Sequence, residues 1–182
     1  MSKRLSSLVR LIESISTLTG RAVAWLTLAM VLVTVVIVLL RYLFNTGWIW
    51  LQESVTWMHA VTFMIAAAYT LKADDHVRVD IFYRRMTPRR RHLVDLLGSL
   101  LLLLPVCGFL LYYSLDYVAD SWAVLETSRE AGGLPGLFLL KTVIPVTAVL
   151  LALQGVTITV KSGLALKSDS SKGHSYDTQV KF

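Results

Sequence analysis

Charged residues are bunched along this chain, and between the bunches lie four long uncharged runs: residues 22–40, 54–71, 96–115 and 142–160. Each holds 18–20 residues, dominated by Leu, Val, Ile and Ala without strand-like alternation. A helix rises 1.5 Å per residue, so about 20 apolar residues cross a hydrocarbon core of roughly 30 Å. The pattern predicts an all-α polytopic membrane protein with four transmembrane helices. The first run is longer than a signal-peptide core and no small-residue cleavage site follows it, so it reads as a retained span.

Three regions follow from the same pattern. In residues 1–21, Leu5, Leu8, Ile12 and Ile15 recur at helical spacing among Ser6, Ser7, Arg10, Glu13 and Ser14. That suits an amphipathic helix on the membrane surface, or an extension of span one. Residues 22–160 form the four-helix domain. Residues 161–182, rich in Ser, Lys and Gly, read as a disordered tail. Between spans two and three, Val77, Val79, Ile81 and Tyr83 alternate, yet a lone strand at a membrane surface has no pairing partner. An interfacial turn or short helix with Phe82 and Tyr83 in lipid is expected instead, broken by Pro88 before Arg89-Arg90-Arg91. Pro105 and Pro145 should bend spans three and four. Ala148, Ala152 and Gly155 form a small-residue stripe that admits a close helix neighbour, inside the chain or outside it.

Charge supplies orientation. Of 18 Lys and Arg residues, fifteen fall in the N-terminal segment, the second loop and the tail; only Arg41, Arg129 and Lys141 fall on the other side. The positive-inside rule puts both termini in the cytoplasm. Tyr42, Trp48, Trp50, Tyr112, Tyr113, Tyr117 and Trp122 mark the outer boundary and Trp25 the inner one. The basic balance, a net charge of +6, is thus topological and implies lipid contact rather than nucleic acid. The outer face carries Asp116, Asp120, Glu126 and Glu130, candidates for contact with a soluble protein. Arg41 and Glu53 flank the first loop at similar depth and are expected to pair or share a polar network.

Composition, at 55% hydrophobic and 16% charged, excludes a soluble enzyme, and the single Cys107 excludes an internal disulfide. The middle of every span lacks Asp, Glu, Lys and Arg; the titratable side chain inside is His59, about 9 Å from Glu53 along a helix. A bis-histidine haem needs a second histidine at that depth. His76 and His92 lie at the opposite interface and His174 in the tail, so no cofactor or metal is assigned. Three classes remain: a non-catalytic transporter subunit, a haem-bearing membrane anchor of an oxidoreductase, and a stand-alone small exporter. The missing mid-membrane charges favour the first.

Arg41-Tyr42-Leu43-Phe44-Asn45, Trp50-Leu51-Gln52-Glu53, His76-Val77-Arg78-Val79-Asp80 and Pro145, in that order across four spans, resemble the small membrane subunit of the tripartite ATP-independent periplasmic (TRAP) transporters. The similarity runs from about residue 41 to residue 160. Two departures stand out: Gln52-Glu53 replaces a frequent acidic pair, and Ala66-Ala67-Ala68 stands where a glycine is common. Ala68-Tyr69-Thr70-Leu71-Lys72 is similar to a mannitol/chloroaromatic-like branch. The resemblance implies an inner-membrane importer of organic acids, usually sodium-driven. In it a periplasmic binding protein captures substrate, a large elevator-type permease moves it, and this subunit braces the permease. On that resemblance Arg41, Trp50, Glu53, His76 and Asp80 are architectural residues at subunit or loop contacts, with none assigned to substrate or sodium.

Overall fold

The computed structural model describes the backbone of residues 3–76, 80–83 and 85–179, and the side chains of residues 5–76, 81–83 and 85–168. Its described residues are helical, with no strand. Helix α1 (Lys3–Phe44) and α2 (Ile49–Ala73) are followed by the single turn α3 (Asp80–Tyr83). Then α4 (Pro88–Gly98), a π-helical turn (Ser99–Leu103) and α5 (Leu104–Ala123) run as one rod, and α6 (Leu137–Gln179) closes the bundle. Four of these helical stretches are long and apolar enough to cross a membrane. The fold is therefore the expected four-span bundle.

Helix α6 is central: α1, α2, α4, the π turn and α5 all pack on it. Its buried residues include Thr147, Ala148, Leu150, Gln154, Gly155 and Thr157, whereas many Leu, Val and aromatic side chains of the other spans are exposed. Water would force the reverse. Lipid tails are as apolar as leucine, so nothing drives large side chains inward, and small or hydroxylated residues that allow close backbone approach fill the interior. Thr147, Thr157 and Thr159 satisfy their hydroxyls on carbonyls four residues back, and Ser99 and Thr159 share a 2.8 Å hydrogen bond between the π turn and α6.

Of the two forms expected for the amphipathic start, the structure has the extension of span one: α1, at 42 residues about 63 Å long, runs from Lys3 without interruption into that span. Leu8, Leu11, Ile15 and Leu18 lie on its exposed side, while Val9, Ser16 and Val23 are buried. The helix that carries span three starts at Pro88, because proline is well placed in a first helical turn. Arg91, in that turn, donates to the Tyr83 carbonyl at 3.1 Å and lies 5.5 Å from the Tyr83 ring centre. Tyr83 turns towards the bundle, its hydroxyl donating to the Asp95 carboxylate at 2.8 Å, whereas Phe82 stays exposed. Pro105 is absorbed by the π turn just before it, where the changed hydrogen-bond register accommodates the missing N–H. Pro145 lies within a continuous helix, and that helix continues past Lys161 as far as Gln179.

Candidate functional site

Polar chemistry gathers at the two ends of the bundle. At the acidic-loop end, Trp48 and Ile49 begin α2 and place Glu53 one turn in, beneath residues 124–136. The Glu53 carboxylate accepts a hydrogen bond from the Ser128 hydroxyl and another from the Leu134 backbone N–H, at 2.6 Å for the latter. Gly133 makes this possible. A Cβ there would stand 2.7 Å from Glu53 Oε2 and 2.5 Å from Ser128 Oγ. The loop closes on itself through Ser128 N–H to Leu134 O at 3.1 Å and Gly133 N–H to Glu130 O at 2.9 Å.

A second anchor lies beside it. Lys141, in the first turns of α6, forms an ion pair with Glu126 and stands 4.0 Å from the Tyr117 ring centre. Ser121 also donates to Glu126, at 2.6 Å. The Lys141 hydrogen bond first, and the Ser121 bond second, hold the Glu126 carboxyl below the usual carboxylate range. Trp122 Nε1 donates to Thr142 Oγ1 at 2.9 Å and packs edge-on against Phe138. The acidic loop is thus pinned to α2, α5 and α6.

Glu53 is engaged by this loop, not by Arg41, which is exposed at the end of α1. The expected Arg41–Glu53 pair does not form among the described residues, because the loop supplies the donors. Trp50 is exposed and stacks on Trp48, ring centres 6.1 Å apart. Asp116, Asp120 and Glu130 are exposed, while Glu126 is turned to Lys141.

At the opposite end, α2 stops because Asp74 takes a left-handed conformation (φ 64°) and its N–H and that of Asp75 bond back to Leu71 and Thr70 carbonyls. His76 follows, its Nε2 3.2 Å from the Ala67 carbonyl. Asp80 lies in α3, with its side chain outside the described residues. Lys72 donates to Glu13 O at 3.1 Å and Thr17 Oγ1 at 2.5 Å, and Lys161 forms an ion pair with Glu13. A cavity of about 580 Å³ opens here between α1, α2, α4 and α6, lined by Glu13, Lys72, Tyr83, Asp95, Gln154 and Lys161 among others. These contacts tie the amphipathic start of α1 to the ends of α2 and α6.

The small-residue stripe is spent inside the chain. Ala148 and Gly155 are buried, and a Cβ on Gly155 would stand 3.0 Å from Leu103 and 3.2 Å from Leu104, at the π turn. Another close approach lay outside the sequence reading: a Cβ on Gly20 would stand 2.5 Å from Tyr69 Cγ. Ser128, Leu134 and the Glu13–Lys161 pair were likewise not singled out. Their partners lie 75, 81 and 148 residues away, beyond any local pattern. Gly133, in the Gly132-Gly133 pair, was the available signal.

With this geometry in view, residues 30–162 match the family described as tripartite ATP-independent periplasmic transporters, DctQ component. The match covers 133 of 182 residues. The chain is a member of the DctQ family. No curated protein matches its sequence. As a DctQ component it is a multi-pass membrane protein of a TRAP transporter, a transport component and not an enzyme. The matched segment contains Glu53, the acidic loop, His76 and the π turn, whereas Glu13 and Thr17 precede it.

Proposed function

We propose that this DctQ component is the small, non-catalytic scaffold of an inner-membrane TRAP importer, with both termini in the cytoplasm. It braces a large elevator permease that receives organic acids from a periplasmic binding protein and is coupled to sodium. One observation carries the reading. The charged side chains of the described spans sit at their ends, where Glu53, Lys141 and Lys72 are engaged in loop and helix-end contacts, and Ser, Thr, Ala and Gly help to close the bundle interior. A translocating subunit needs ionisable groups or broken helices facing a mid-membrane cavity. His59, the mid-span titratable residue, is on the outer surface of α2 instead.

Within this reading Glu53 holds the outer loop in place, and Arg41, Trp50, His76 and Asp80 serve subunit or loop contacts at the two interfaces. Asp116, Asp120 and Glu130 offer an acidic surface to the binding protein, with Glu126 shaping the loop that bears it. Assignment to the mannitol/chloroaromatic-like branch belongs to the same proposal, on Ala68-Tyr69-Thr70-Leu71-Lys72. The test is reconstitution. Proteoliposomes with the large permease, the binding protein and this chain accumulate substrate on a sodium gradient, while this chain alone does not. Sodium-dependent uptake by the chain alone overturns the reading.

A further inference from the structure

The four spans differ in how well they suit lipid. Helix α1 is the most apolar and α2 the least, yet each buries only 6% of its span within the chain, against 33% for α6. For α1 that exposure is unremarkable. For α2 it leaves polar side chains uncovered.

Those side chains form one stripe. Gln52, Thr56, His59 and Phe63 are all exposed, Phe63 by 75%. Spacings of four, three and four residues place them within about 60° of one another around a helix of 3.6 residues per turn. Fully buried Ala68 lies on the opposite side, where α1 and α6 pack. The stripe rises about 16 Å from Gln52 to Phe63, from the outer interface towards mid-membrane. The side chains of Gln52, Thr56 and His59 make no hydrogen bond among the described residues. In hydrocarbon each such group is costly until a partner supplies the missing hydrogen bond.

We infer that the Gln52–Thr56–His59–Phe63 face of α2 is the seat of a transmembrane helix of the transporter's large membrane component, with polar groups set opposite Gln52, Thr56 and His59. Phe63 caps the inner end of the contact. A lipid chain cannot occupy this face well, because it offers neither donor nor acceptor. A soluble partner cannot reach it at this depth. The inference rests on the scaffold reading and gives that scaffold a specific face.

Site-directed photocross-linking in native membranes tests it. p-Benzoylphenylalanine is placed at position 56, 59 or 63 of the full chain co-expressed with its large component, and at position 32, 36 or 101, exposed apolar sites on α1 and the third span, as controls. The expected result is an adduct, identified by mass spectrometry as this chain plus the large component, from the α2 positions and not from the controls. Replacing Gln52, Thr56 and His59 together by Leu makes the stripe better suited to lipid, and should weaken co-purification by about threefold for each hydrogen bond lost. Adducts with a second copy of this chain, or none at the α2 positions while the wild-type subunits still co-purify, overturn the choice of face and leave the scaffold reading standing. Failure of the wild-type subunits to co-purify removes the scaffold reading itself.

Discussion

Glu53 offers the sharpest test of how the acidic loop is held. Its carboxylate accepts from the Ser128 hydroxyl and, at 2.6 Å, from the Leu134 N–H. Hydrogen bonds to a charged acceptor contribute about 1.5–3 kcal/mol each, and this partly exposed site belongs at the low end. Glu53→Ala removes both, about 3 kcal/mol of local stability. At 1.4 kcal/mol per factor of ten, loop opening becomes roughly a hundredfold more frequent. Glu53→Gln keeps the shape: its carbonyl accepts from Leu134 and its amide donates to Ser128. Only the charge assistance is lost, about 1 kcal/mol or roughly fivefold. Hydrogen–deuterium exchange of the peptide spanning residues 128–134, in nanodiscs, reads this directly. Peptides around Glu13 and Lys161, at the far end, should be unaffected. Gly133→Ala, which drives a methyl group against Glu53 Oε2 and Ser128 Oγ, should loosen the same peptide. Unchanged exchange at Leu134 in Glu53→Ala would falsify the latch.

Other outcomes follow from the same contacts. Gly20→Ala puts a methyl group 2.5 Å from Tyr69 Cγ, the root of a ring that cannot swing aside, so α1 and α2 must part; a loss of about 1–3 kcal/mol should lower the Tm of the solubilised protein, and an unchanged Tm contradicts the packing. The Glu126 carboxyl should titrate below the usual carboxylate range by carbon-13 NMR and move back up towards it in Lys141→Met. Because its folded pKa lies below the unfolded one, its stabilising contribution is complete above the unfolded pKa and is lost as pH falls through the folded one. Asp116→Lys/Asp120→Lys should slow substrate uptake more at low salt than at high salt if this surface steers the binding protein, and equal slowing at both salts refutes steering.

The order of runs and charges was sufficient for the four spans, since a backbone in hydrocarbon must satisfy its own hydrogen bonds and the helix does so locally. It was sufficient, too, for the family resemblance carried by Trp50, Glu53 and His76. It was not sufficient for partners. Glu53 and Arg41 look like a pair by depth along the chain, but residues 124–136 fold over α2 and present Ser128 and Leu134 first. Nor was it sufficient for the opposite end of the bundle, where Glu13 of α1 meets Lys72 of α2 and Lys161 of α6.

Hydropathy along a chain records which residues tolerate lipid, a property each residue carries alone, and so the sequence determined the spans. Which faces meet depends on the relative rotation of helices distant in sequence, and only the tertiary structure decided that. It turned Ala148 and Gly155 inward, to Leu103 and Leu104 in the case of Gly155, and left Thr56 and His59 facing out.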